Sequence, residues 1–129
     1  MKINHVALWV KDLEKVKDFY QRYFGMHCSN KYVNVQKGFS SYFLSFDGPE
    51  TRLEIMHSTD ITDHGADKGL TFGFTHLSLS VGSRQKVDEL TEIIRNNGFP
   101  VKGEPRVTGD GYYESVVMDP EGNYVEITV

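Results

Sequence analysis

The chain has 129 residues, enough for a core that buries roughly two-thirds of the unfolded surface, and 14 basic against 18 acidic side chains leave a net charge of −4. That balance, without any run of Lys and Arg, argues against a nucleic-acid partner. No apolar stretch reaches the ~18 residues that span a bilayer, and the start Met1-Lys-Ile-Asn-His5 has no signal-type apolar run, so no membrane association and a cytoplasmic location are expected.

In chain order, residues 3–10 alternate in side-chain character with period two and predict a strand. Asp12 is a plausible cap for a helix whose apolar stripe is Leu13, Val16, Phe19, Tyr20, Tyr23 and Phe24, stopping at Gly25. Apolar runs at about 26–35, 39–46 and 51–57 predict three further strands, with Phe46-Asp47-Gly48-Pro49 turning the last hairpin. Residues 58–73 are polar and contain glycine, and they read as a linker. The order then repeats. A strand at 74–82 leads into a helix capped by Ser83, striped by Val87, Leu90, Ile93 and Ile94 and closed by Gly98; strands follow at 100–107, 112–118 and 123–129, the last turned by Asp119-Pro-Glu-Gly-Asn123. The fold class is therefore α+β: two βαβββ modules, about 1–57 and 74–129, in a single domain spanning 1–129.

The repeat extends to chemistry. His5-Val-Ala-Leu-Trp-Val10 returns as His76-Leu-Ser-Leu-Ser-Val81, and Leu53-Glu54-Ile55 returns as Val125-Glu126-Ile127, so each module carries one His and one Glu at nearly equal spacing. Strand alternation separates Val6, Leu8 and Val10 from His5, Ala7 and Trp9, and Leu77, Leu79 and Val81 from His76, Ser78 and Ser80. Glu54 and Glu126 alternate with apolar neighbours in the same way, so all four residues fall on the less apolar faces of their strands. Helices covering one face of curved sheets leave the other free for a groove. Neutral imidazole and carboxylate together suit a borderline divalent ion such as Zn, Ni, Co or Fe. With Cys28 as the single cysteine, neither an internal disulfide nor a thiolate cluster is available. Trp9, Phe39, Phe43 and Tyr113 are aromatic residues that could line a pocket or fill the core. Val107-Thr-Gly-Asp-Gly-Tyr-Tyr113 reads as a hairpin loop or a substrate-covering flap. His27, His57 and His64 lie outside the repeat; His57 and His64 are expected to be solvated.

His5 to Val10 followed by Asp12 and Phe19-Tyr20, together with Asp119-Pro-Glu-Gly-Asn-Tyr-Val-Glu126, resembles the vicinal oxygen chelate superfamily over essentially the whole chain, and within it bacterial glyoxalase I. The resemblance implies curved, mostly antiparallel sheets with helices on the outer face. It also implies a homodimer in which one chain's first module sits beside the other's second, and one divalent metal per site (Zn, Ni or Co, with Fe and Mn also compatible) held by His5, Glu54, His76 and Glu126. Glu126 would be the catalytic base of a lyase or isomerase that moves a proton within a hemithioacetal, or a related small oxygenated metabolite, through an enediolate. Apart from the resemblance, Trp9, Phe43 and Tyr113 are the aromatic candidates for substrate contact, with core packing the alternative use of each. The family's cationic residue four positions after the first His, suited to glutathione carboxylates, is replaced here by Trp9, which leaves the partner thiol open. A drug-binding dimer of the bleomycin-resistance type, without metal ligands, is the non-enzymatic alternative. Epimerase, fosfomycin-modifying and dioxygenase relatives are the enzymatic ones.

Overall fold

A computed structural model describes residues 3–48, 51–62, 67–70 and 73–129. The chain divides into two compact units, Met1–His64 and Gly65–Val129. In the first, β1 (His5–Trp9) leads into α1 (Leu13–Phe24), followed by the short strands β2 (His27–Cys28) and β3 (Tyr32–Asn34), a 3₁₀ turn at Val35–Lys37, then β4 (Phe39–Ser45) and β5 (Arg52–Ser58). The sheet order is β1-β5-β4-β2, with β3 also pairing β4. In the second, a 3₁₀ turn at Lys68–Leu70 precedes β6 (His76–Ser80), α2 (Arg84–Asn96), β7 (Val101–Val107), β8 (Tyr113–Met118) and β9 (Tyr124–Thr128), in the order β6-β9-β8-β7. Each sheet joins its first and last strands in parallel, β1 with β5 and β6 with β9, while the remaining pairs are antiparallel. The architecture is α+β, as the sequence pattern implies.

Local chemistry accounts for the element ends. The Asp12 carboxylate accepts from the Lys15 backbone N–H and Ser83 does the same for Lys86, which satisfies donors that a first helical turn leaves open. Gly25 closes α1 in the left-handed conformation, φ 67°, which a Cβ disfavours. Val16, Phe19 and Tyr20 are buried with Leu44, Leu53 and Ile55 in the first unit. The second unit buries Val87, Thr91 and Ile94 with Val117, Val125 and Ile127. Here the expected stripe needs correction. Ile93 is half exposed, and Thr91 takes the buried position because its hydroxyl donates to the Val87 carbonyl at 2.6 Å and meets Ser115 Oγ at 2.6 Å. A hydroxyl so paired is buried at little cost.

The run at 26–35, expected as one strand, is two. The Phe43 backbone N–H goes to the Ser29 hydroxyl at 3.0 Å, and the ladder breaks there. Pro105 lies inside β7, which is an edge strand and so tolerates a missing donor. Residues Thr108–Tyr112 form a hairpin loop, tied by the Thr108 N–H to the Tyr112 carbonyl at 2.8 Å. Among the described residues no helix is long and apolar enough to cross a membrane.

One surface cluster pins α1 to its sheet. Glu14 accepts from Lys31 at 3.1 Å and Tyr42 at 2.9 Å and pairs with Lys17; these bonds, Lys17 foremost, hold its carboxyl down from an ordinary 4.5 to about 2. A carboxyl depressed on folding stabilises the protein above its ordinary pKa, and the effect is lost as pH falls through the folded value. Because the side chain is half exposed, solvent screens the cluster and the effect is at most about 1 kcal/mol. Glu14→Gln should lower the unfolding free energy from urea titration at pH 7 by that order, and the difference from wild type should fade between pH 4.5 and about 2.

Candidate functional site

In the first unit the parallel register sets His5 against Arg52 and Ala7 against Glu54. The second sets His76 against Tyr124 and Ser78 against Glu126. In both, the glutamate stands two positions further along the partner strand than the residue opposite the histidine. Side chains opposite one another share a sheet face, so His and Glu meet diagonally. His5 Nε2 lies 3.7 Å from Glu54 Oε2, and His76 Nε2 lies 3.5 Å from Glu126 Oε2. The two pairs are also alike in exposure, with imidazoles about 40% exposed and carboxylates about 15% exposed.

These separations test the donor set. They exceed a good N–H···O hydrogen bond. Two atoms each about 2.1 Å from a shared ion stand roughly 3.0–3.4 Å apart in octahedral or tetrahedral coordination, so each pair needs only a few tenths of an ångström to close on a divalent cation. The nitrogen and oxygen donors fit such an ion chemically as well. Among the described residues, no three His, Cys, Asp or Glu side chains form a metal-holding cluster; each unit holds one His–Glu pair.

The surroundings of the pairs differ. His5 Nδ1 lies 2.9 Å from Asn4 Oδ1, which also accepts from Arg52 Nη2 at 2.9 Å. With Nδ1 as the donor, the Nε2 lone pair is left facing Glu54, the usual arrangement behind a metal-binding imidazole. Phe43, across the strand from Glu54, meets the His5 ring edge to face at 5.5 Å, and the Arg52 guanidinium stacks over Phe43 at 4.2 Å. Further along the same face, Trp9 meets Phe39 at 6.1 Å and Tyr32 meets Phe39 at 6.0 Å. Trp9 is 42% exposed. The first pair therefore opens onto an aromatic surface.

The second pair is set among polar groups. Ser78 Oγ donates to Glu126 Oε1 at 2.6 Å. Glu114, nearly buried on β8, is bound by Arg106 Nη2 at 3.2 Å. Burial, and then the hydrogen bond with Glu126 and its charge, push the Glu114 carboxyl above the ordinary carboxylate range against the pull of Arg106. Tyr124 is tied to the linker: its hydroxyl donates to Asp67 Oδ2 at 3.1 Å, and a Cβ at Gly69 would fall within 2.6 Å of its ring. Gly69→Ala should accordingly destabilise the second unit by about 1–3 kcal/mol in a urea titration.

Of the other residues singled out in the sequence, Tyr113 lies on the opposite face. Its hydroxyl donates to Asp88 Oδ1 at 2.7 Å and Arg84 stacks on its ring at 4.9 Å, because residue 113 alternates with Glu114 and so points to α2. Of the three expected substrate contacts, Tyr113 is thus, within its own sheet's register, on another face from Trp9 and Phe43. His57, expected to be solvated, is half buried with Nδ1 3.1 Å from the Val10 carbonyl. His27 is exposed beside Asp47, and Cys28 is a half-buried free thiol in β2. His64 falls outside the described residues. The repeat carried no signal for Asn4, Arg106 or Glu114; strand alternation alone marks Glu114, the charge just before the run Ser115-Val-Val-Met118, as sharing a face with Val116.

Known proteins are similar to this chain over most of its length. A lactoylglutathione lyase of Shigella flexneri is 33% identical over 131 residues, covering 98% of this chain and 91% of its own length. One from Schizosaccharomyces pombe is 32% identical over 102 residues, and there the match spans only 30% of the relative. The solved structure of Leishmania major glyoxalase I, trypanothione-dependent by its description, superposes with a TM-score of 0.79 at 23% identity, over 99% of this chain and 86% of that one, a likeness of fold. The family model matches residues 2–127, through both modules and both His–Glu pairs, and the chain belongs to the Glyoxalase/Bleomycin resistance protein/Dioxygenase superfamily.

Proposed function

We propose that the protein is a metal-dependent isomerase of the glyoxalase I type, with His5, Glu54, His76 and Glu126 holding one divalent ion, and Glu126 also acting as base. The observation that carries this reading is the duplicated pair, Nε2 to Oε2 at 3.7 and 3.5 Å in the same register. A first-module pair facing a second-module pair completes the set, and a homodimer is the assembly we propose for it. The bound ion, Zn, Ni or Co in preference to Fe or Mn, supplies Lewis-acid charge for two adjacent substrate oxygens. Glu126 Oε2 takes the proton from C1 of the hemithioacetal and returns it at C2. The C1 hydroxyl proton passes to the C2 oxygen, so substrate and product are isomers and no co-reactant is consumed. Asn4 and Arg52 hold His5 for its part, and Phe43 walls the site.

Purified protein stripped with chelator and reloaded should bind one divalent ion per site, read by calorimetry, and then convert the hemithioacetal of methylglyoxal and a thiol to a hydroxyacyl thioester. Drug binding without metal or turnover would favour the sequestering members of the superfamily instead; the retained ligand types weigh against them. Light scattering on a sizing column tests the dimer, and a monomer that still binds the ion would overturn it.

Trp9 supports a substrate with an apolar or aromatic thiol carrier over one with two carboxylates. As the chain's one tryptophan, it reports on that wall directly. Bound ligand should quench or shift its emission, and Trp9→Ala should raise KM roughly 5–10-fold, the size of one lost aromatic contact, with kcat little changed. Unchanged emission at saturation would remove Trp9 from the site.

A further inference from the structure

The two modules contain their own control for what surrounds a glutamate. Ala7 and Ser78 occupy equivalent places, each two residues after its histidine and directly across from its glutamate. Glu54 has Ala7 and Phe43 as cross-strand neighbours, and neither side chain carries a hydrogen-bond donor. Glu126 has Ser78 and Val116 there, and the Ser78 hydroxyl donates to its Oε1 at 2.6 Å. A charge-assisted O–H···O⁻ bond of that length is strong and directional. It divides the labour of the carboxylate, with Oε1 fixed to the strand and Oε2 turned toward His76 at 3.5 Å.

We infer that Ser78 is the positioning residue that makes Glu126, and not Glu54, the glutamate that exchanges a proton. With Oε1 held, Oε2 stays free to meet the substrate's C1 proton while the carboxylate keeps its place. The carboxylate of Glu54 has no such anchor on β1 and serves as a ligand only. The inference rests on the reading of Glu126 as base given above. It goes beyond that reading by naming a group on β6 that holds one glutamate and has no counterpart on β1.

The test compares wild type with Ser78→Ala, Ser78→Thr and Ala7→Ser, each loaded with Co(II), using visible absorption and steady-state kinetics with the hemithioacetal of methylglyoxal. Removing one outer partner of a ligand ordinarily costs about 10–100-fold, so Ser78→Ala should lower kcat by that factor with KM within about twofold, and should alter the Co(II) bands. Ser78→Thr, which keeps the hydroxyl, should recover most of kcat. Ala7→Ser should leave kcat within about twofold of wild type. If Ser78→Ala matches wild type in both spectrum and kcat while wild type is active, the inference is wrong and the metal reading stands. If Ala7→Ser is impaired as much as Ser78→Ala, or threonine fails to rescue, Ser78 is merely structural and the inference is overturned. If wild type gives no Co(II) spectrum or no turnover, the proposed function fails and the inference falls with it.

Discussion

Replacing His76 with alanine should abolish tight divalent-ion binding while leaving the fold intact. The side chain is about 40% exposed, on the face of β6 turned away from the apolar residues Leu77 and Leu79. Losing it should therefore change the unfolding free energy by no more than about 0.5 kcal/mol. Its Nε2, though, is half of one donor pair. Loss of an outer partner costs 10–100-fold in metal affinity, and loss of the ligand itself should exceed about 100-fold. The measurement is calorimetric titration of Zn or Ni into the stripped protein, with circular dichroism to confirm folding. His5→Ala should behave alike, whereas His27→Ala, on an exposed histidine beside Asp47, should bind as wild type does. A His76→Ala protein that keeps wild-type affinity would rule the four-ligand site out.

The second large effect concerns Asp119. This side chain is 2% exposed and accepts from the Glu121 N–H at 2.9 Å, the Asn123 N–H at 2.9 Å and Asn123 Nδ2 at 2.8 Å. Burial pushes its carboxyl upward while those bonds pull it back. Asp119→Ala leaves three donors without their acceptor, and at about 1 kcal/mol each, together with a small cavity, it should cost about 2–4 kcal/mol. Because this turn sets the register of β8 with β9, where Val116 faces Glu126, the variant should also bind metal more weakly. Urea unfolding gives the first quantity and calorimetry the second. A variant as stable as wild type would show that the turn is held by its backbone alone. Asp119→Asn, which keeps an acceptor oxygen, should lose less.

That turn also marks the boundary between what was legible in the sequence and what was not. Asp119-Pro-Glu-Gly-Asn123 is the most specific segment of the resemblance, yet nothing in the letters says why; in the fold it is a carboxylate gathering the donors that orient β9. The caps Asp12 and Ser83, the left-handed Gly25 and the faces of β1, β5, β6 and β9 could all be read in advance, because capping and alternation are local and depend on residues a few positions apart. Thr91 could not be read, since its burial depends on Ser115, 24 residues away. The split of the 26–35 run depends in the same way on Ser29 reaching Phe43. Aromatic character alone does not say which face Tyr113 takes; its meeting with Asp88 and Arg84 on α2 is a tertiary contact.

Period and spacing survive in one dimension, so the two modules, the duplicated His and Glu, and the face on which each stands are legible in the letters alone. How the members of each pair meet follows from strand pairing in three dimensions. Residues 49 and 50 positions apart in the chain come within 3.7 and 3.5 Å because the first and last strands of each sheet pair in parallel. The tertiary structure also makes the two pairs differ. Ser78 grips Glu126, whereas Asn4 and Arg52 steady His5, and hydrogen bonds of that kind follow from the register of neighbouring strands, which no single strand's sequence contains.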